Sequence, residues 1–219
     1  YEQFLDFHRT YYHPSNSYIY LYGKMDFEEK LRFLDEEYLS RYEELEVDSQ
    51  IPRQEAFDQV AVITQNYPIA ENEEEAEHTY LSYNRVIGTA LDVKLCTAFE
   101  VLDYALLSAP GAPLKKALLD AKIGKDIYGA FEDGIYQPYF SVIAKESDPA
   151  KNEQFQQIIQ DTLREIVRDG IDQKALEAGI NFYEFRYREA DYASFPKGLI
   201  YGLDILETWL YDEDRPFDA

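Results

Sequence analysis

The chain has 219 residues, 46% of them apolar, with 20 Tyr and 13 Phe. This length and composition exclude a disordered tail and a low-complexity chain, because so many aromatic side chains can offset chain entropy by burial. Lys and Arg number 21 against 43 Asp and Glu, a formal net charge of −22, which argues against nucleic acid and against an anionic membrane surface as partners.

The cysteine content and the first residues indicate the cellular and sequence context of the chain. The single cysteine, Cys96, excludes an internal disulfide and indicates a reducing compartment, so we expect a cytoplasmic protein. Because the chain begins with Tyr1 inside a helical pattern, we expect an excised segment of a longer protein; the alternative is a mature chain after processing.

The first predicted elements are a helix, a turn, a strand and a second helix. Residues 1–11 have a helical pattern, and the sequence His-Pro-Ser-Asn at 13–16 predicts a turn. Residues 17–22 (SYIYLY) are aromatic, β-branched and short, which predicts a buried strand. Asp26 is then expected to cap a helix, with Glu29 as its capping-box partner.

Two further strands are predicted after a polar connection over residues 41–56. They cover residues 59–65 (QVAVITQ) and 79–86 (TYLSYNRV), and an acidic connection at 66–77 separates them. We predict that these two strands pair as a long hairpin.

The second half of the chain is mainly helical. The apolar period predicts helices over 91–106 and 114–121, then strands at 127–132 and 139–144 around the turn Asp133-Gly134. Three more helices follow. One opens at Ser147-Asp148-Pro149 and ends at Gly170, one is capped by Asp172 with Leu176, Ile180, Tyr183 and Tyr187 inward, and the last covers 198–211.

This order of elements predicts the fold class. Strands occur in groups with helix pairs between them, so we expect an α+β fold with a largely antiparallel sheet and helices packed on one face. No internal repeat and no linker divides the chain, and we therefore count residues 1–219 as one domain.

Metal-ligating and nucleophilic residues are scarce. None of His8, His13 and His78 stands in an H-x-x-E-H or H-E-x-x-H frame, and Cys96 is expected to be a small core group. Ser15 lies near His13, but the sequence contains no G-x-S-x-G elbow and no phosphate-binding loop. We therefore expect no catalytic and no metal-binding residue in the chain.

Acidic and tyrosine side chains leave two alternatives open. The acidic run at 71–77 and the triplet at 212–214 lack the spacing and the glycine of a calcium loop, and we interpret them as solvated connections. Tyr18, Tyr20 and Tyr22 share one face of their predicted strand. This face either binds an extended peptide by stacking and hydroxyl hydrogen bonds or is covered by helices.

Several stretches, in this order along the chain, resemble the pitrilysin/insulinase clan of zinc metallopeptidases, and the presequence-protease branch in particular. They are residues 7–23 (FHRTYYHPSNSYIYLYG), 110–114 (PGAPL), 129–139 (GAFEDGIYQPY), 195–199 (FPKGL) and 209–212 (WLYD). The first of them resembles the junction at which that family enters the second domain of a half-molecule.

The resemblance implies a metallohydrolase-like, non-catalytic second domain of the N-terminal half, with residues 1–16 as the lead-in helix and turn from a preceding domain. It implies a scaffold and substrate-chamber role in a zinc endopeptidase that degrades short unfolded peptides. The zinc would lie in the upstream domain, so no cofactor is expected in this segment. Its partners would be the catalytic domain, the C-terminal half of the same chain and a peptide substrate. Arg186-Tyr187 lacks the context of the family's assisting arginine–tyrosine pair, and its role is not transferred.

Alternatives to this reading remain. One is a binding or assembly subunit of the same fold without peptidase activity; another is an independent enzyme using acids such as Glu132 and Asp133. The acidic balance either draws basic peptides to the chamber wall or simply keeps the protein in solution. The substrate-binding residues are not predictable from the sequence.

Overall fold

The computed structural model of the chain describes residues 1–73, 77–190, 192, 194–214 and 217. Its helices are α1 (Glu2–Tyr11), α2 (Phe27–Phe33), α3 (Val93–Asp103), α4 (Pro113–Asp120), α5 (Asn152–Asp169), α6 (Gln173–Glu189) and α7 (Lys197–Trp209). Its strands are β1 (Thr79–Val86), β2 (Asp126–Glu132) and β3 (Tyr139–Ser147). Short 3-10 turns cover Pro14–Asn16, Leu39–Arg41 and Pro149–Lys151, and π-helical turns cover Leu34–Tyr38 and Tyr104–Ser108.

Within the described residues, the strands form one antiparallel sheet in the order β1-β3-β2. The strands predicted at 79–86, 127–132 and 139–144 are confirmed, and so is the α+β class. A register shift near Thr79 accompanies a left-handed backbone at Glu146, which has a φ of 53°. The middle strand, β3, is therefore bonded on both sides, and β1 and β2 are edges.

The strands predicted at 17–22 and 59–65 are wrong, and with them the long hairpin, because neither segment is a strand in the structure. Val62 and Ile63 are 71% and 79% exposed. Strand propensity describes how well a side chain fits a half-buried pleated surface, and it forms no strand without a partner ladder and a face to cover.

Helix ends follow the predicted capping chemistry. The Asp26 carboxylate accepts the Glu29 N–H at 3.1 Å, and the Asp172 carboxylate accepts the Lys174 N–H at 2.9 Å. Gly170 ends α5 with a φ of 90°, which a side chain would strain. The helix predicted from residue 91 begins at Val93 instead, because Asp92 serves as its N-cap.

The core lies between one face of the sheet and the helices α3, α4 and α5. Its buried side chains come from the sheet, α4, α5 and the intervening turns, and Leu102 of α3 packs against them. They include Leu81, Leu107, Leu114, Leu118, Ile123, Ile127, Val142, Phe155 and Ile159. The helices that build the core thus occupy one side of the sheet, as predicted.

Helix α6 follows its predicted orientation in part. Of the four residues predicted to point inward, Leu176 and Tyr183 are half-buried, whereas Ile180 and Tyr187 are 48% and 49% exposed. The residue of α6 that is buried is Gly179. A Cβ at Gly179 would stand 3.2 Å from the Tyr104 ring, so the missing side chain allows α6 to lie close to the turn after α3.

Candidate functional site

The sheet face opposite the core is the first candidate surface. In one row across it stand Ser82, Ile143 and Tyr128, and in the next Asn84 meets Ser141. The Asn84 side-chain oxygen accepts hydrogen bonds from the Ser82 hydroxyl at 2.9 Å and the Ser141 hydroxyl at 2.6 Å. Tyr128 is 38% exposed. Ser141 itself is buried, so the accessible part of this face consists of Ser82, Asn84 and the Tyr128 ring, which suits contact with an extended peptide.

The tyrosine face predicted as a possible peptide site contacts α7 but is not buried by it. Tyr18 packs edge-on against Trp209, with ring centroids 4.7 Å apart. The Tyr20 hydroxyl donates to the Gly198 carbonyl at 2.7 Å. Tyr18, Tyr20 and Tyr22 are still 36%, 41% and 55% exposed, so the helix covers this face only in part and peptide binding there stays a prediction.

Two glycines one helical turn apart admit these rings. A Cβ at Gly202 would stand 2.5 Å from Tyr20 Cε1, and a Cβ at Gly198 would overlap the Tyr22 ring. Both glycines are buried. The sequence Gly-x-x-x-Gly in α7 is thus a groove that fits the tyrosines of residues 17–22.

Carboxylates gather where α3, α7 and the turn between β2 and β3 meet. Oε1 of Glu207 and Oε1 of Glu132 lie 3.7 Å and 3.5 Å from the position that a Cβ would take at Gly134. Burial, followed by the charges of Asp133 and Asp204, raises the pKa of Glu207 to about 7. Glu207 is therefore a carboxyl group that titrates near neutral pH.

Glu100 extends this cluster toward α6. Burial raises its pKa, although the hydroxyl of Tyr187, which donates to it at 2.9 Å, acts in the opposite direction. Burial and then the Glu100 charge raise the pKa of Tyr183 to about 12. Burial and then the Asp133 charge raise the pKa of Cys96 to about 11. With these raised pKa values, the Tyr183 hydroxyl and the Cys96 thiol are protonated at neutral pH.

Asp103 is a buried carboxyl group at the start of the π-helical turn. Its Oδ1 has no hydrogen-bond partner, and its Oδ2 accepts from the Ser108 hydroxyl at 3.4 Å. Burial raises the pKa of Asp103. Oδ1 points at Gly129 in β2, where a Cβ would overlap it. The glycine is therefore what makes room for this carboxyl group against the sheet.

The structure does not bring the three histidines together. His8 stacks on Tyr12, and Nδ1 of His13 accepts the Ser15 N–H at 3.2 Å. His78 lies 3.6 Å from Glu73. Among residues 1–73, 77–190, 192, 194–214 and 217, no group of three or more His, Cys, Asp or Glu side chains could hold a metal ion. The described residues therefore do not fit a zinc site.

The other predicted polar candidates have structural partners. The Ser15 hydroxyl accepts the Leu45 N–H at 3.0 Å. Of the acidic run at 71–77, residues 74–76 lie outside the described part, and Glu77 pairs with Lys125 at 2.7 Å. In the triplet at 212–214, the Asp214 N–H donates to the Asp212 carboxylate at 3.2 Å.

Sequence reasoning missed Glu207 and Glu100. For Glu207, the usable signal was that it and Asp204 stand inside the otherwise apolar stretch GLDILETWL of α7. A third missed residue is Gln137, whose side-chain amide bonds both backbone groups of Gln54. Nothing in the local sequence marks this contact, because the two residues are 83 positions apart.

Comparison with known proteins identifies the family. The model of the peptidase M16 inactive domain matches residues 1–183. The chain belongs to the peptidase M16 inactive-domain family. It is therefore a non-catalytic domain of these metallopeptidases, which confirms the resemblance to the pitrilysin clan and agrees with zinc binding elsewhere.

Relatives among known proteins are much longer. Protein HypA of Clostridium perfringens (strain 13 / Type A) is 47% identical over 214 residues, which are 98% of this chain and 22% of that protein. Presequence protease 1, chloroplastic/mitochondrial, of Arabidopsis thaliana is 33% identical over 222 residues, 100% of this chain and 20% of that protein. The chain thus spans about a fifth of the length of these relatives.

Two further findings complete the comparison. The crystal structure of the inactive peptidase domain of a Bordetella parapertussis protein described as a zinc protease covers 64% of this chain and 78% of that one, with 17% identity and a TM-score of 0.49. Of the helices described, none has the length and apolar character needed to cross a membrane. Because the Arabidopsis relative is named chloroplastic/mitochondrial, the cytoplasmic location stays a prediction.

Proposed function

We propose that this M16 inactive domain is a scaffold and substrate-chamber domain of a zinc metalloendopeptidase that degrades short unfolded peptides. The observation that carries the proposal is the asymmetry of the sheet. One face holds the helices of the core, and the other presents Tyr128, Ser82 and Asn84, with the Asn84 side chain held by the hydroxyl of the buried Ser141. An outward sheet face of this chemistry suits the wall of a chamber that contacts peptides without cutting them.

The partners follow from the same proposal. They are the catalytic domain and the C-terminal half of the same parent chain, together with a peptide substrate; nucleic acid and membrane are not expected. Residues 1–219 act as one unit, and residues 1–16 form its lead-in from a preceding domain. The unburied apolar side chains of α1 and α2, such as Phe4 at 67% and Phe27 at 47% exposure, support contact with other domains.

The test compares the full-length protein with the 219-residue chain. We expect the full-length protein to contain zinc, to hydrolyse short unfolded peptides and to lose this activity when a chelator removes the metal. We expect the 219-residue chain alone to bind no stoichiometric zinc and to cut no peptide. Hydrolysis by the short chain would revive the independent-enzyme alternative, and a full-length protein without zinc or hydrolysis would favour the assembly-subunit alternative.

A further inference from the structure

Residues 44–57 run from contacts with Ser15 and Asn16 to a contact with Gln137, and they are mostly exposed. They contain neither helix nor strand. Their large apolar side chains are mostly exposed, with Ile51 at 63% and Phe57 at 68%. We call this stretch the strap. Burial of side chains therefore does not hold it in place.

Hydrogen bonds fasten the strap at three points. The Leu45 N–H donates to the Ser15 hydroxyl at 3.0 Å, and the Ser49 hydroxyl donates to the Asn16 side-chain oxygen at 2.6 Å. At the third point, Gln137 bonds the backbone of a single strap residue, Gln54. These contacts are exposed to water, and each contributes little, so the strap can be displaced.

The contact at Gln137 has the pattern of a peptide-backbone receptor. Its Oε1 accepts the Gln54 N–H at 2.7 Å, and its Nε2 donates to the Gln54 carbonyl at 3.2 Å. A neighbouring β-strand would offer an extended residue the same donor and acceptor. Because only main-chain atoms of Gln54 take part, the contact would accept any extended residue except proline.

The turn that carries Gln137 is held firmly. The adjoining carbonyls of Tyr136 and Pro138 accept the N–H groups of Ala90 and Ile87 at 3.0 Å and 2.7 Å. Pro138 is fully buried, and the Tyr136 ring stacks on Tyr211. Gln137 therefore stands on a firmly held turn, whereas the strap residue that it binds, Gln54, is loosely held.

We propose that Gln137 is a binding residue for the backbone of an extended peptide, and that the strap occupies its site until such a peptide displaces it. This inference rests on the proposed contact of the domain with peptides. It adds Gln137 as a residue that binds the peptide and the strap as a segment that competes for the same site. A peptide that takes the place of Gln54 frees the strap, so the bond between Arg53 and Gln54, which is exposed but held by Gln137, can move into the active site of a protease.

The rate of trypsin cleavage after Arg53 measures release of the strap. The bond that trypsin cuts includes the N–H group of Gln54, which donates to Gln137. In the full-length protein, we expect Gln137→Ala to speed cleavage at this bond by about 5- to 30-fold, from the loss of two hydrogen bonds. Gln137→Glu, which keeps an acceptor and loses the donor, should give a smaller increase. Gln154→Ala on the exposed side of α5 is the matched control and should leave the rate unchanged.

The competitor is a Thr- and Val-rich peptide without Lys or Arg, whose binding is followed separately by fluorescence anisotropy. Supporting results are faster cleavage after Arg53 when the peptide is added to the wild type, and no further increase in Gln137→Ala. Peptide binding with unchanged cleavage overturns this inference alone. No peptide binding at all overturns both it and the proposed function. Unchanged cleavage in a folded Gln137→Ala protein, checked by circular dichroism, also overturns it.

Discussion

Replacing Glu207 by Gln is expected to stabilise the protein, and more so in alkaline solution. Burial and four neighbouring acids raise the pKa of this carboxyl group to about 7 in the fold. They are Asp133, Asp204, Glu132 and Glu100. The folded state therefore binds a proton more tightly than the unfolded chain does, and stability falls as the pH rises from 4.5 through 7. Glutamine keeps the size of the side chain and removes the charge that causes the loss.

The pKa difference sets the magnitude. The interval from 4.5 to about 7 corresponds to about 3 kcal/mol if it is counted in full. The side chain is only partly buried, and solvent screening reduces the effect to about 1–2 kcal/mol. The free energy of unfolding of Glu207→Gln should exceed that of the wild type by this amount at about pH 8, and by much less at about pH 5.

Urea unfolding at the two pH values measures this difference directly. Glu153→Gln, at an exposed position in the first turn of α5, is the control, and its effect should be the same at both pH values. A raised pKa of Glu207 in the folded state would be refuted if Glu207→Gln changed stability equally at the two pH values, or if it destabilised the protein more at the higher one.

Four further predictions concern packing, capping and charge. Gly202→Ala should lower the free energy of unfolding by about 1–3 kcal/mol, because its Cβ meets the Tyr20 ring. Gly134→Ala, whose Cβ would make ordinary contacts, is the control. Equal effects of the two substitutions would contradict the packing of Tyr20 against Gly202. Gly129→Ala should cost about 2 kcal/mol or more by overlap with Asp103, and thermal melts should show partial recovery when Asp103→Ala is added. Asp172→Ala should cost about 1 kcal/mol through loss of the α6 cap, and an unchanged denaturation midpoint would oppose this. If the acidic surface of this domain attracts basic peptides, their affinity for the full-length protein should fall as the salt concentration rises. An affinity that does not change with salt excludes this attraction.

Local rules of chain chemistry predicted the parts of the fold that depend on neighbouring residues. Asp26 and Asp172 cap the helices that their spacing predicted, and Gly170 ends α5. Strands β2 and β3 were predicted together because the turn at Asp133-Gly134 joins them directly, whereas β1 was predicted as a strand but with the wrong partner. These features need little information from distant residues.

Features that depend on distant partners were predicted poorly. Residues 17–22 have strand-like composition, but their tyrosines fit the glycine groove of a helix about 180 positions later. The close approach of α6 at Gly179 is not indicated by its apolar stripe, because a glycine contributes no apolar side chain. The pKa of Glu207 and the contact of Gln137 likewise arise only when separate loops and helices meet. Sequence patterns state what a residue can do, and the tertiary contacts decide which option is realised.

The central claim is that a peptide contacts the outward face of the sheet, and site-specific photocrosslinking tests it most directly. A benzoylphenylalanine residue would replace Tyr128 on that face or, as the control, Val167, which is 87% exposed on α5. A labelled unfolded peptide would be bound to the chelator-treated full-length protein and irradiated. We expect a crosslink at position 128 and none at 167. A crosslink at 167 with none at 128 would contradict peptide contact with the outward face of the sheet.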